Sequence, residues 1–425
     1  MSVQIRVAIG LCAVLFFSVN PGSTADWPQW LGPQRNAVSS ETGLLKNWPA
    51  AGPQVVWRVP LGKGFSGISI SQGRVYTLFA NSEGEFAVCL KAENGEEVWR
   101  FQTGTLYEER QGGDGPRSTP TVDGERVYVL GARGMLYALD ARTGEKVWEK
   151  DLVAAFGSEV PRWGFSTSPL VEGDLLLLEA GGVDGNFLVD MVIDREANAT
   201  AVALDKATGR TVWTALGDKM SYSSPIVVTL DGLRQVVFFN AYALVGLAPQ
   251  DGSVYWRFPW KTRYDVSAST PVLIAPDKLF ISAGNKGAVV RVASADDGAQ
   301  VEQVWKNKEM KNHFGTSIHY KGHLYGFDES ILTCINAESG AQMWETRGYA
   351  KGTLVIADGH LLILGEQGNL GLAVATPEGF VEKANVAVMS GRCWTVPSLA
   401  NGKIYLRDES EMVCLNIGEA PELGE

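Results

Sequence analysis

The chain has 425 residues with 45% hydrophobic side chains, and its 37 basic against 48 acidic groups give a net charge of −11 at pH 7. That balance argues against nucleic acid and anionic membrane surfaces as partners, while leaving room for a local basic patch. With 48 glycines and 13 tryptophans and only 20% charged residues, the composition is that of a folded chain with a large core, not of a disordered one.

Residues 1–25 read as an export signal. Arg6 supplies the positive start, Val7 to Val19 are almost all apolar, and Ser23-Thr24-Ala25 offers the small residues of a cleavage site. A membrane anchor is the alternative, but a span needs roughly 18 to 20 apolar residues, and this run breaks earlier, at Asn20-Pro21-Gly22. Cys12 lies inside the run after Leu11, which does not suit lipid anchoring. Cleavage after Ala25 removes Arg6 and no acid, and implies a periplasmic or extracellular protein. No later segment is long and apolar enough to cross a membrane. The expected organisation is a signal over 1–25, an N-terminal arm over 26–53, a repeat domain over 54–417 and a short tail over 418–425.

The repeat is clearest in Ala138-Leu139-Asp140-Ala141-Arg142-Thr143-Gly144-Glu145-Lys146-Val147-Trp148. Related copies end at Trp99, Trp213, Trp256, Trp305 and Trp344, and a seventh, Ala373 to Lys383, carries Lys383 where the others have tryptophan. Each copy is two short apolar strands around a Gly-bearing turn, a hairpin signature. A second hairpin lies between copies, best seen from Ser118-Thr119-Pro120 to Leu130, with relatives starting at Ser66, Ser166, Tyr222, Ser269, Thr316, Gly352 and Trp394. Two hairpins per unit make a four-stranded antiparallel sheet, and such sheets repeated every 40 to 50 residues or so indicate a β-propeller. The last unit stops after three strands. Gln54 to Val59, which contains Trp57, looks like the missing fourth, so the all-β fold expected is an eight-bladed propeller closed by its N-terminal strand. Seven blades would hold if the unit before Lys383 formed no sheet. Trp57, Trp99, Trp148, Trp213, Trp256, Trp305 and Trp344 then read as docking groups between blades, not ligand contacts. Cys89, Cys334 and Cys414 fall in a small buried slot on separate blades, where a thiol acts as a small hydrophobe, and the cysteine spacing matches no zinc or haem pattern.

The loops that lead into the innermost strands open on one face of a propeller. The residues there are Phe65, Arg117, Phe165, Tyr222, Asp265, His313 with Phe314, Lys351, and Arg392-Cys393-Trp394. If they converge, cations and aromatic rings face one funnel, which suits a flat or anionic ligand such as a quinone carboxylate, an acidic sugar or a peptide terminus. The alternative is that channel mouths are polar and wet in any propeller. The longest insertion, Glu179 to Ala199, holds Asp184, Asp190 and Asp194, but Asp184-x-Asn186 is too little of a calcium loop, which leaves a surface loop as the simpler reading. His319 and His323 sit at opposite ends of a hairpin and make no zinc site. Asn198-Ala199-Thr200 is a sequon only where a host glycosylates. No nucleophile elbow, phosphate loop or dinucleotide fingerprint occurs in a strand-then-helix setting, and no catalytic or metal-ligating set is expected.

The Ala-x-Asp-x-x-Thr-Gly-x-x-x-Trp form of Ala138 to Trp148 resembles the tryptophan-docking motif of the PQQ-like (quinoprotein-type) propeller repeat family, over nearly the whole chain after residue 25. Asp26-Trp27-Pro28-Gln29-Trp30-Leu31-Gly32-Pro33, with Trp48-Pro49, is similar to the N-terminal arm of its short exported members, and Gly115-Pro116-Arg117-Ser118-Thr119-Pro120 to their second blade. Quinoprotein alcohol dehydrogenases of this superfamily hold pyrroloquinoline quinone (PQQ) and calcium in the funnel, use an aspartate as base, and carry a disulfide between adjacent cysteines. This sequence has no Cys-Cys pair, no matching Glu, Asn and Asp set and no haem motif. The short BamB-like members are non-catalytic, bind protein partners and take no cofactor. Length, export and blade number suit them, although their lipid-anchoring cysteine is missing. The resemblance therefore implies an exported, monomeric, WD40-like binding or scaffold protein, without cofactor, for an unknown protein or small-molecule partner. A small PQQ-dependent dehydrogenase, with PQQ and calcium held near Arg117, Lys351, Arg392 and Trp394, is the alternative. A carbohydrate-binding accessory protein is the third reading.

Overall fold

The computed structural model describes residues 25–181, 199–295 and 298–419. The expected leader up to Thr24, Asp184, Asp190 and Asp194 of the insertion, Asn198 of the sequon and the end of the tail lie outside them. Within the described residues the chain is an eight-bladed β-propeller: eight four-stranded antiparallel sheets and one five-residue helix, Leu152–Phe156. Blades 1 to 7 span 69–104, 121–151, 170–215, 226–259, 272–307, 318–346 and 353–387, and blade 8 joins 398–416 to Gln54–Pro60.

Each residue of the repeat has a separate task. Asp140 caps its own turn by accepting from Arg142 N, Thr143 N and Thr143 Oγ1, and Gly144 takes the left-handed backbone (φ 75°) that the turn needs. That glycine is also the seat of the preceding blade's tryptophan. A Cβ on Gly144 would stand 2.6 Å from the Trp99 ring, and the Trp99 Nε1–H donates to Ala141 O at 3.0 Å. The pattern recurs with Trp57 on Gly95, Trp148 on Gly209, Trp213 on Gly252 and Trp305 on Gly340, each indole donating to a turn carbonyl. A buried indole needs that acceptor, since an unmet N–H in an apolar site is costly. Trp256 differs, donating to the Gln235 side chain of its own blade.

Blade 7 forms despite lacking a tryptophan, and its register moves the expected slot by one residue. In blade 2 the outermost strand bulges at Val147, so that Trp148 faces Ala138. In blade 7 the bulge falls at Lys383 and Ala384 faces Leu372. Lys383 is thus the exposed bulged residue and Ala384 holds the tryptophan position, because the turn between the two strands is two residues longer. Phe380, from that longer turn, packs 5.5 Å from Trp344.

The ring closes as the two chain ends require: Gln54–Pro60 pairs antiparallel with Glu411–Asn416, so no blade keeps an unpaired fourth strand. Arg407 crosses the same seam. Fully buried, it donates to Leu78 O, Gly62 O and Thr77 Oγ1 of the first blade and its approach. Innermost strands have a free edge toward the axis, and Ser and Thr side chains meet it by bonding the backbone of the next blade. Ser66 Oγ donates to Ser118 O, Thr119 N to Ser168 Oγ, Ser168 N to Ser224 Oγ, Ser267 N to Ser221 Oγ, and Ser398 Oγ to Ile68 O. The four described cysteines, Cys89, Cys334, Cys393 and Cys414, are buried free thiols, raised to between about 11 and about 12 by desolvation.

Candidate functional site

The N-terminal arm blocks one end of the axial channel. Trp27 forms a bridge with Ile70, Pro28 O accepts from Val122 N, Ala37 and Ser39 bond Ile356, and Glu41 accepts from Asn401 N and Gly402 N. Between these anchors the chain turns into the channel. Arg35 is buried there and donates to the carbonyls of Ser168, Pro169 and Pro225. Trp30 Nε1 donates to Thr270 Oγ1 at 3.0 Å, and its ring reaches the cavity above. Contacts to seven blades turn a through-channel into a blind funnel with Trp30 at its floor.

The open end is a cavity of about 920 Å³. Seven of the eleven residues singled out in the sequence line it: Phe65, Arg117, Tyr222, His313, Phe314, Lys351 and Trp394. Four do not, among them the buried thiol of Cys393. Phe165, which follows the left-handed Gly164, turns into the core between blades 2 and 3, where it packs on Gly134. Asp265 is drawn to Lys219 at 3.6 Å. Arg392 stands behind the wall, held by both oxygens of Glu409 at 2.9 and 3.0 Å and lying 4.4 Å from the Trp394 ring. The funnel also receives Trp163, Lys261, Arg263, Tyr264, Lys286 and Glu329. Lys261 to Tyr264 precede the blade 5 inner strand by more than one residue, so attention to the position just before each strand passes over them. Lys286 lies in a hairpin between second and third strands, and such hairpins open on the funnel face because successive strands alternate in direction.

One wall is aromatic: Trp394 packs 5.3 Å from Phe65 and 4.9 Å from Phe314, with its Nε1–H fixed by Glu366 at 2.8 Å. Trp163 meets Tyr222 edge to face at 5.4 Å, and burial pushes the Tyr222 phenol up to about 12, so it stays protonated. Arg117 is held between Gly113 O and Gly115 O and lies 5.9 Å from Phe65. Desolvation, with Lys351 nearby, holds His313 below its ordinary pKa and favours the neutral ring. Lys351 is 3.8 Å from Glu329. Glu329 is the one carboxylate among the lining residues, and no group of three or more His, Cys, Asp or Glu converges among the described residues. Calcium takes six to eight oxygen ligands, so the residues present do not fit the calcium that accompanies PQQ.

A family model described as outer membrane protein assembly factor BamB matches residues 83–346. The chain belongs to this family. The matched stretch runs from blade 1 through blade 6. BamB of Moranella endobia is 22% identical over 325 residues, covering 74% of this chain and 77% of its own. Quinoprotein alcohol dehydrogenase PedH of Pseudomonas putida is 26% identical over 170 residues, 38% of this chain and 25% of PedH. The crystal structure of BamB from Moraxella catarrhalis superposes with a TM-score of 0.59 at 15% identity, over 85% of this chain and 99% of that one, which shows the shared fold. No helix among the described residues is long and apolar enough to cross a membrane.

Proposed function

We propose that this protein is an exported, non-catalytic binding propeller that works as a monomer and receives its ligand or partner in the funnel. The observation that carries this reading is the blind cavity itself. Its floor is supplied by a separate segment, its walls are aromatic, and its cations outnumber its carboxylates, with no donor set for a catalytic metal among the described residues. The assembly-factor relatives agree with a role in binding. The test is a thermal-shift panel on the chain beginning at Asp26, with PQQ and calcium, acidic and neutral oligosaccharides, and acidic peptides, run beside a PQQ-dependent dye-reduction assay with alcohols and sugars. Stabilisation by an anionic compound without dye reduction is expected, and turnover with PQQ would overturn the non-catalytic reading.

A small PQQ-dependent dehydrogenase is the second reading. The aromatic stack of Phe65, Trp394 and Phe314 beside Arg117 favours it, since such a wall suits a planar acid. It requires that PQQ with calcium raise the melting temperature in the same panel.

A further inference from the structure

Three cations on one side of the funnel form no ion pair with a carboxylate among the described residues. Lys261 and Arg263 lie in the loop that leaves blade 4, and Lys286 in the hairpin after Ala283 of blade 5. The two loops are in contact: a Cβ on Gly284 would stand 3.2 Å from Thr262 Cγ2. The three charges therefore belong to one patch. None forms an ion pair among the described residues, whereas Arg257 pairs with Asp218, Lys219 with Asp265, Lys351 with Glu329 and Arg392 with Glu409. The patch cations rest instead on rings, Lys261 at 4.8 Å from Tyr242, Arg263 at 5.2 Å from Tyr264 and Lys286 at 4.4 Å from Trp260, with Lys306 over the same Trp260 ring at 5.5 Å. Burial and the neighbouring Lys306 together hold Lys286 below its ordinary pKa. Crowded like charges over aromatic faces disfavour the free state and favour an anion that relieves them.

The rest of the cavity limits which anion. Its volume lies near the upper end for ligand pockets, well above what one small ring fills. Its floor at Trp30 admits a short chain or a chain end, not a strand passing through. Among the uncharged polar side chains on the wall, Asn285 and Thr395 make no side-chain hydrogen bond among the described residues, while Ser166 and Thr262 are tied to Tyr222 O and to Val266. Two backbone N–H groups at the mouth are already spent between blades, Phe65 N on Pro116 O and Tyr222 N on Ser267 O. An extended peptide would need such backbone partners for its own N–H and C=O groups. Sugar hydroxyls are met by side-chain hydroxyls and amides, and sugar rings by aromatic faces such as Trp163 and Trp394.

We infer that the funnel binds a short acidic oligosaccharide, its carboxylate or sulfate groups at Lys261, Arg263 and Lys286 and its sugar rings against the aromatic wall. This rests on the proposed use of the funnel as the binding site. The test is calorimetric titration of the chain beginning at Asp26 with tetragalacturonate, a sulfated galactose tetrasaccharide, neutral maltotetraose, tetraglutamate and PQQ, in parallel with the triple variant K261A/R263A/K286A, checked for an unchanged melting temperature. One of the two acidic sugars binds, which also tells carboxylate from sulfate. Maltotetraose does not bind, and the triple variant or 0.5 M salt weakens the acidic sugar at least tenfold. Equal binding of maltotetraose, or an unaffected triple variant, overturns the inference. Binding of tetraglutamate or PQQ without either acidic sugar overturns it while leaving the funnel a binding site. Silence across the panel removes both readings.

Discussion

The two ends of the channel are built on opposite terms. At the closed end the charged groups of the arm meet partners: Arg35 is enclosed by three carbonyls and Glu41 receives two backbone N–H groups. At the open end Lys261, Arg263 and Lys286 have rings but no counter-charge among the described residues. A propeller gains nothing for its own stability from unpaired cations on a rim, whereas a buried arginine without acceptors would be ruinous. The closed end therefore reads as architecture and the open end as a surface kept for something else.

This contrast is broken most directly at Arg35. Arg35→Ala strips three buried carbonyls of their donor and leaves a void, which should cost about 3–5 kcal/mol in urea denaturation. A loss below about 1 kcal/mol would mean that the arm is only draped over the channel.

Glu179 tests the upper rim of blade 3 through pH. It is buried, its second oxygen Oε1 has no partner among the described residues, and burial raises it from 4.5 to about 8 against the opposing Ser221 N–H bond. The folded state keeps a proton that the unfolded chain releases, so this contribution to stability is full below pH 4.5 and is lost as pH rises to about 8. Glu179→Gln keeps an oxygen for Ser221 N–H and abolishes that loss. At pH 8 the variant should be the more stable by about 2–4 kcal/mol, with little difference at pH 4.5. Parallel melting curves at the two pH values decide it.

Trp30→Ala sharpens the comparison where the two ends meet. Removing a half-buried indole should cost roughly 2–3 kcal/mol in thermal or urea unfolding, and it deepens the funnel, so ligands that stabilise the parent protein should lose part of their thermal shift. A variant with unchanged stability and unchanged ligand response would exclude Trp30 as the floor. The smallest effect belongs to the rim: Lys261→Ala should change unfolding free energy by less than about 0.5 kcal/mol, as expected of a cation that makes no ion pair among the described residues. A marked loss there would show that the patch serves the fold.

Much of this was legible in one dimension. The turn chemistry of Asp140, Thr143 and Gly144 and the spacing to Trp148 are local, repeat along the chain, and so disclose the hairpins, the blades and even the displaced strand at Trp57. The loops before the inner strands pointed to the face with the cavity and to seven of the residues that line it. Local pattern failed where geometry depends on one or two residues. The longer turn in blade 7 moved the tryptophan slot from Lys383 to Ala384, and Gly164 sent Phe165 inward.

The sequence by itself determined the all-β repeat, its blade number and its docking tryptophans, because each follows from short-range turn geometry and an alternating apolar pattern. Tertiary structure alone decided that the arm enters the channel, that Arg35 lies buried among carbonyls far along the chain, and that Lys286 joins Lys261 and Arg263. Those contacts depend on how the blades are arranged around one axis, and no local signal in the chain encodes a meeting of side chains so far apart.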